Sequence, residues 1–462
     1  MKMSVTRSLL YFLLTILLFS PSATKAEEVI VSGRVNRPET VVRLLVYDDL
    51  LNMHEALVAE TVSDDKGCFL LEGKVSHIMP ARIAVGLESV DLYLTPGASY
   101  DVTITIPEQE PNASYFERQS PTLRVKTASD KGVYRQMVLS QEIIDGHVLY
   151  YFDELFRRRQ YRYLDSIKAA IEASMETTSD YVKQQNDYKI ASIQMAVNAD
   201  GGKKVIKEYF DGKPVLYHSL AYMDLFKDLF SKKFWSTPYT TQGLEDAFWG
   251  GPVDLKEYLD TDPFMARNPE LAELITIYNL RTMYYEQAKI RKVILDHLKA
   301  IRNRSQHPEI KKMVANMITH FGRFAKGADA PDFALKDGEG NTVKLSDFKN
   351  TMVVLQFVEG SSKTVDHQFE VLADLHHQWQ DSVQLVTVTT KDQLSVWGKR
   401  FEEKHYDWPL LNLGNDILLL EQYEVRTFPE YFIILPGTKI GKAPAPSPDQ
   451  TLQEYVRDLR SR

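Results

Sequence analysis

The sequence predicts a multidomain α+β protein with an N-terminal β-sandwich, a middle all-α domain and a C-terminal α/β domain. Three observations carry that prediction. Between Val29 and Pro107, short runs of β-branched and aromatic residues are separated by tight-turn strings. From about Val133 to Phe324 apolar residues recur at helical intervals with few strand signals. Beyond Gly327, strand-length apolar runs such as Met352–Val358 and Val383–Thr389 alternate with a helical stretch at Leu394–Lys404, as in a sheet covered by helices on both faces.

A targeting segment precedes the first strand. Lys2 and Arg7 are followed by the apolar run Leu9–Phe19 and then by small residues, with Thr24 and Ala26 at −3 and −1 of a cut after Ala26. This is the layout of a secretory signal peptide, and its apolar run is too short to span a bilayer comfortably. The expected boundaries are 1–26 signal peptide, 27–125 β-sandwich, 126–325 helical domain and 326–462 α/β domain. Cleavage predicts an exported, periplasmic chain with no stable membrane span.

The 462 residues include 44% hydrophobic and 11% aromatic side chains, enough for several cores. Losing residues 1–26 removes three cations and no acid, so the formal charge of −8 becomes −11. A nucleic-acid partner is excluded on that balance. Cys68 is the only cysteine, which rules out an intramolecular disulfide. Within the apolar run Gly67–Leu71, Cys68 reads as a small buried hydrophobe; reactive-thiol chemistry there is the minority reading.

In the β-domain the expected strands are Val29–Val35, Val41–Val46, Ala59–Val62, Cys68–Leu71, Ala81–Val85, Val90–Leu94 and Tyr100–Ile106, with turns at Asp64–Gly67 and Thr95–Ala98. The order Ser32-Gly33-Arg34-Val35, Asp65–Phe69, Leu94–Gly97 resembles the small β-domain that precedes the thioredoxin domain in many exported bacterial proteins. The helical middle shows one stripe through Val138, Ile143, Ile144, Val148, Leu149, Phe152, Leu155 and Phe156. A second runs from Leu271 to Ile301 through Leu274, Ile277, Leu280, Ile290, Ile294 and Leu298. Phe226, Phe230, Phe234, Trp235, Phe248 and Trp249 read as core more readily than as a pocket, and Arg157–Arg159 with Arg162 as a solvated helix face.

The string Gly327–Leu335, Asp337–Asn341 and Val343–Lys349 is the most specific in the chain. It resembles the opening of a TlpA/ResA-type or peroxiredoxin-like domain of the redoxin superfamily, in which an extension and hairpin lead into the first central strand. The resemblance implies a C-terminal thioredoxin-like fold over about the last third of the chain, in a periplasmic protein of a Gram-negative bacterium. In that family the central strand enters Trp-Cys-x-x-Cys at a helix start, where the helix dipole favours the thiolate. Aligned on Val353–Phe357 and on Leu372 and Leu375, Ser361–Val365 covers the motif, with Ser362 at the nucleophile and Val365 at the resolving position.

A hydroxyl forms no disulfide and a valine offers no sulfur, so dithiol exchange at this motif is excluded. The peroxiredoxin loop is excluded as well, because residues 356–369 contain neither its proline nor its cysteine. The string Tyr423–Pro429 resembles the family's Tyr-x-Val-x-x-x-Pro segment, which implies a cis peptide at Pro429. Two further strands, Tyr431–Leu435 and one near Lys439–Lys442, and a helix at Leu452–Leu459 complete the domain. The resemblance also implies a groove holding an extended polypeptide, with Ser361, Ser362, Thr427, Phe428 and Pro429 as its walls.

The resulting expectation is a non-catalytic periplasmic thioredoxin-like protein that binds or scaffolds exported proteins or peptides, with no cofactor and no metal site. The alternative is a thiol-disulfide oxidoreductase homologue with a residual or partner-dependent role in redox homeostasis, acting through Cys68 or an external thiol. A third reading makes Ser362 a hydrolytic nucleophile with Asp366, His367, His376 or His377, without the Gly-x-Ser-x-Gly elbow such enzymes use.

Overall fold

The computed structural model describes residues 26–460 apart from 87, 109–119, 176–177, 199, 237–238, 361, 380–381, 391–392 and 415–417. The chain packs as two compact units. One comprises residues up to Asp48 with Glu55–Ala199 and His218–Ala221; the other comprises Asp49–His54, Asp200–Tyr217 and Tyr222–Arg462.

The N-terminal strands are β1 (Glu27–Val35), β2 (Val41–Asp49), β3 (His54–Val62), β4 (Cys68–Val75), β5 (Met79–Val85), β6 (Glu88–Leu94), β7 (Ser99–Thr105) and β8 (Thr122–Ala128). They form two four-stranded sheets, ordered β4-β1-β7-β8 and β3-β2-β5-β6. Alternation explains the sandwich: Val29 and Val31 of β1, Tyr100, Val102 and Ile104 of β7, and Leu44, Ile83 and Leu92 of the facing sheet share one buried core. The Asp64–Gly67 turn forms as its residues require. The Asp64 carboxylate accepts the Lys66 and Cys68 N–H groups at 2.9 and 2.7 Å, and Gly67 takes φ +77°.

Three sequence expectations are corrected in this unit. Cys68 is exposed, because β4 turns Phe69 and Leu71 inward and leaves positions 68 and 70 outside. β8 is an eighth strand, paired antiparallel to β7, which its polar surroundings hid. The stripe from Val138 to Phe156 does not run through a single helix. The helix Val133–Tyr150 gives way to a π-helical turn at Asp153–Arg157, whose wider winding rotates the later residues out of register. Ile144 and Leu155 stay buried, whereas Val138, Leu149 and Phe152 are exposed.

In the second unit Phe226, Phe230, Phe234 and Phe248 are core residues, while Trp235 and Trp249 face outward. The Leu271–Ile301 stripe is divided between two helices, Pro269–Glu286 and Arg291–Arg304, yet Leu274, Ile277, Leu280, Ile294 and Leu298 are all buried. The C-terminal strands are β9 (Ala334–Asp337), β10 (Thr342–Lys344), β11 (Met352–Val358), β12 (Val383–Thr389), β13 (Leu410–Asn412), β14 (Glu430–Leu435) and β15 (Lys439–Ala445). They make one sheet ordered β10-β9-β13-β12-β11-β14-β15. β11 is central, parallel to β12 and antiparallel to β14. Its every residue is buried, with Val354 and Val358 in one core and Val353, Leu355 and Phe357 in the core on the opposite face.

Candidate functional site: the end of the central strand

The register of β11 and β14 builds the site. Phe357 pairs with Glu430, so the turn after Val358 and the loop before Glu430 leave the sheet at the same end. The turn leads into the helix Lys363–Trp379, and the loop contains the cis peptide Phe428–Pro429 that the sequence implied. Of the residues assigned to the site, Ser361 lies outside the described residues. Ser362 and Thr427 are exposed, and Phe428 and Pro429 are half-buried.

Ser362 and Val365 both have structural roles. The Ser362 hydroxyl accepts the Val365 N–H at 3.3 Å, and its carbonyl accepts the Asp366 N–H at 2.8 Å, which makes Ser362 the N-cap of the helix. Val365 is 7% exposed and belongs to the core with Phe369, Leu372 and Trp397. A second helix, Leu394–Lys404, braces this turn. Its Trp397 donates to the Glu359 carbonyl at 2.9 Å and stacks on Phe369 at 4.4 Å, and its Arg400 pairs with Asp366 at 2.5 Å.

Asp366 is engaged by Arg400, His376 by Asp407 at 3.1 Å, and among the described residues no hydrogen bond joins Ser362 to a histidine. The proline loop is anchored from several sides. The Tyr423 hydroxyl donates to the Pro331 carbonyl at 2.7 Å, and Glu424 receives Arg323 at 3.0 Å and His320 at 2.8 Å. Phe428 packs against the core beside the loop. Glu430 accepts the Arg426 N–H at 3.1 Å, and burial raises its carboxyl above the ordinary range.

The sequence reading missed a line of polar groups, buried from Trp408 to Gln368 and reaching the surface at Asp449. Trp408 donates to Thr387 at 3.0 Å, Thr387 to the Gln356 carbonyl at 3.1 Å, and the Gln356 amide to Tyr431 at 3.2 Å. Tyr431 donates to Gln368 at 3.0 Å, and the Gln368 amide to Asp449 at 3.2 Å. Each of these donors meets an acceptor, so the buried members of the line are satisfied. Burial also raises the Tyr431 phenol. The one available signal was Gln356, the polar residue that interrupts the apolar run of β11.

No described helix is long and apolar enough to cross a membrane. Comparison with known proteins places the similarity on this C-terminal segment. The AhpC/TSA family model matches residues 326–443. The thiol-disulfide oxidoreductase ResA of Bacillus subtilis is 28% identical over 119 residues, which cover 26% of this chain and 66% of that relative, slightly less than two thirds of its length. The ResA of Bacillus cereus is 26% identical over 137 residues, covering 29% of this chain and 78% of the relative. Among solved structures, a putative thiol-disulfide oxidoreductase of Bacteroides vulgatus aligns at 19% identity and TM-score 0.28 over 30% of this chain and 98% of its own. Residues 326–443 are therefore similar to the AhpC/TSA family, and they lie in the C-terminal, thioredoxin-like part of a multidomain α+β chain.

Proposed function

We propose that the chain is an exported, non-catalytic thioredoxin-like protein that binds or scaffolds a protein or peptide segment along Ser362, Thr427, Phe428 and Pro429. One observation carries this reading. The thiol positions hold a helix N-cap and a core valine, while the strand, helix and cis-proline loop around them remain assembled. An extended segment would lie along the loop before β14 by backbone hydrogen bonding, and Ser361 would complete the wall. The proposed organisation is a signal peptide cut after Ala26, a β-domain at 27–125, a helical domain at 126–325 and the thioredoxin-like domain at 326–462.

The test is a pull-down from periplasmic extract with wild type, Phe428→Ala and Pro429→Ala. Partners retained by the wild type and lost by both variants support the groove. Partners that survive both changes place the binding elsewhere, and reduction of insulin disulfides by the purified chain would overturn the non-catalytic reading.

The exposure of Cys68 favours a second reading, a partner-dependent redox role for an accessible thiol. Unchanged behaviour of Cys68→Ser in every redox assay would remove it.

A further inference from the structure

The end of the helix Val133–Tyr150 and the turn beyond it present large side chains that the first unit does not cover. Leu149 is 81% exposed, Tyr150 79%, Phe152 49% and Tyr161 44%. Single exposed apolar residues are ordinary on a protein surface, but here four fall within thirteen positions of one segment, Tyr161 with its hydroxyl donated to Asn198. The patch is preformed. Tyr150 lies edge-on to Tyr151 at 4.7 Å, Tyr151 packs on Tyr163 at 4.4 Å and Phe152 on Phe156 at 5.1 Å. The backbone beneath is unusual as well, with a π-helical turn at Asp153–Arg157 and Arg159 at φ +53°, a conformation that side-chain-bearing residues rarely hold.

Charge accompanies the apolar groups. Arg157, Arg158, Arg159 and Arg162 outnumber Asp153 and Glu154, so this segment is locally positive on a chain of net charge −8. Arg157 and Arg158 make solvent-facing pairs with Asp153 and Glu154 at 3.3 and 3.9 Å, too exposed to neutralise the patch. Arg159 is exposed.

We propose that residues 149–162 form a docking surface for an anionic lipid bilayer. Leu149 and the tyrosine rings enter the boundary between headgroups and acyl chains, and the arginines meet lipid phosphates. Charge beside exposed apolar groups selects this partner: Leu149 and Tyr150 are about four-fifths exposed next to an arginine excess, the combination that an anionic lipid interface complements. Screening over about 8 Å at physiological salt lets the local positive charge act despite the acidic remainder of the chain. This inference does not depend on the peptide groove.

The test uses the chain from Glu27 onward, so that the apolar run Leu9–Phe19 cannot itself partition. Co-sedimentation is measured with phosphatidylcholine vesicles, with and without about one-third phosphatidylglycerol. Binding is expected to the anionic vesicles and to weaken in high salt. Arg158→Gln with Arg159→Asn weakens it about thirtyfold, and Leu149→Ser with Tyr150→Ser weakens it at least about tenfold. Circular dichroism checks that both variants remain folded. No binding, equal binding to both vesicle types, or either double variant binding like wild type overturns the proposal.

Discussion

Ser362 and Val365 stand three residues apart on one helical turn but are held by different forces. Ser362 satisfies an otherwise unpaired N–H at the helix start, so Ser362→Ala should cost about 1 kcal/mol of stability in urea unfolding. Val365 fills core volume, and Val365→Ala should cost about 2 kcal/mol in the same measurement, from lost burial and the cavity left behind. An inverted order of these two losses would contradict the assigned roles. The exposed Cys68 thiol should react with Ellman's reagent without denaturant, and Cys68→Ser should abolish that signal. At this scale the sequence disclosed the missing sulfurs and the residues aligned with them, but not the N-cap and core roles that Ser362 and Val365 hold. It also misplaced Cys68, because a fully apolar run such as Gly67–Leu71 hides which of its two alternating sets faces the core.

Central elements were the most legible. β11, β12 and the helix Leu394–Lys404 have the bounds read from the sequence, because burial on both faces of a strand, or an apolar stripe on one face of a helix, leaves a strong pattern. The polar line through Gln356 left almost none, since its members are far apart in the chain and only the fold aligns them. Gln356→Leu would remove the acceptor of the buried Thr387 hydroxyl and the amide that donates to Tyr431, and should cost about 2 kcal/mol in urea unfolding. The loop before β14 adds a pH dependence. Burial raises the Glu430 carboxyl, so folding favours its protonated form. Its contribution to stability is full below the unfolded-state value and declines as pH rises through the higher folded-state value. Glu430→Gln, permanently neutral, should therefore gain melting temperature relative to wild type as pH rises above about 4. A difference that stays constant with pH would show that Glu430 does not titrate with folding.

For the whole molecule, secondary-structure class changes near residues 126 and 326, whereas packing groups the helices from Val133 to Val197 with the sandwich and most later helices with the C-terminal sheet. An amphipathic stripe shows that one helix face seeks cover; it does not name the covering element. Each unit has its own core, so denaturant unfolding should depart from a single two-state transition. Leu44→Ala and Val365→Ala should then move different transitions. One transition shifted equally by both would mean the chain unfolds as a single cooperative block. Within the second unit, the line from Trp408 to Asp449 begins at a group that only donates and ends at one that only accepts. It therefore has a single direction, which fixes both glutamine amides and both intervening hydroxyl hydrogens. Shielded from solvent exchange, the Thr387 and Tyr431 hydroxyl protons should persist long enough to appear as separate resonances in a proton NMR spectrum recorded in water.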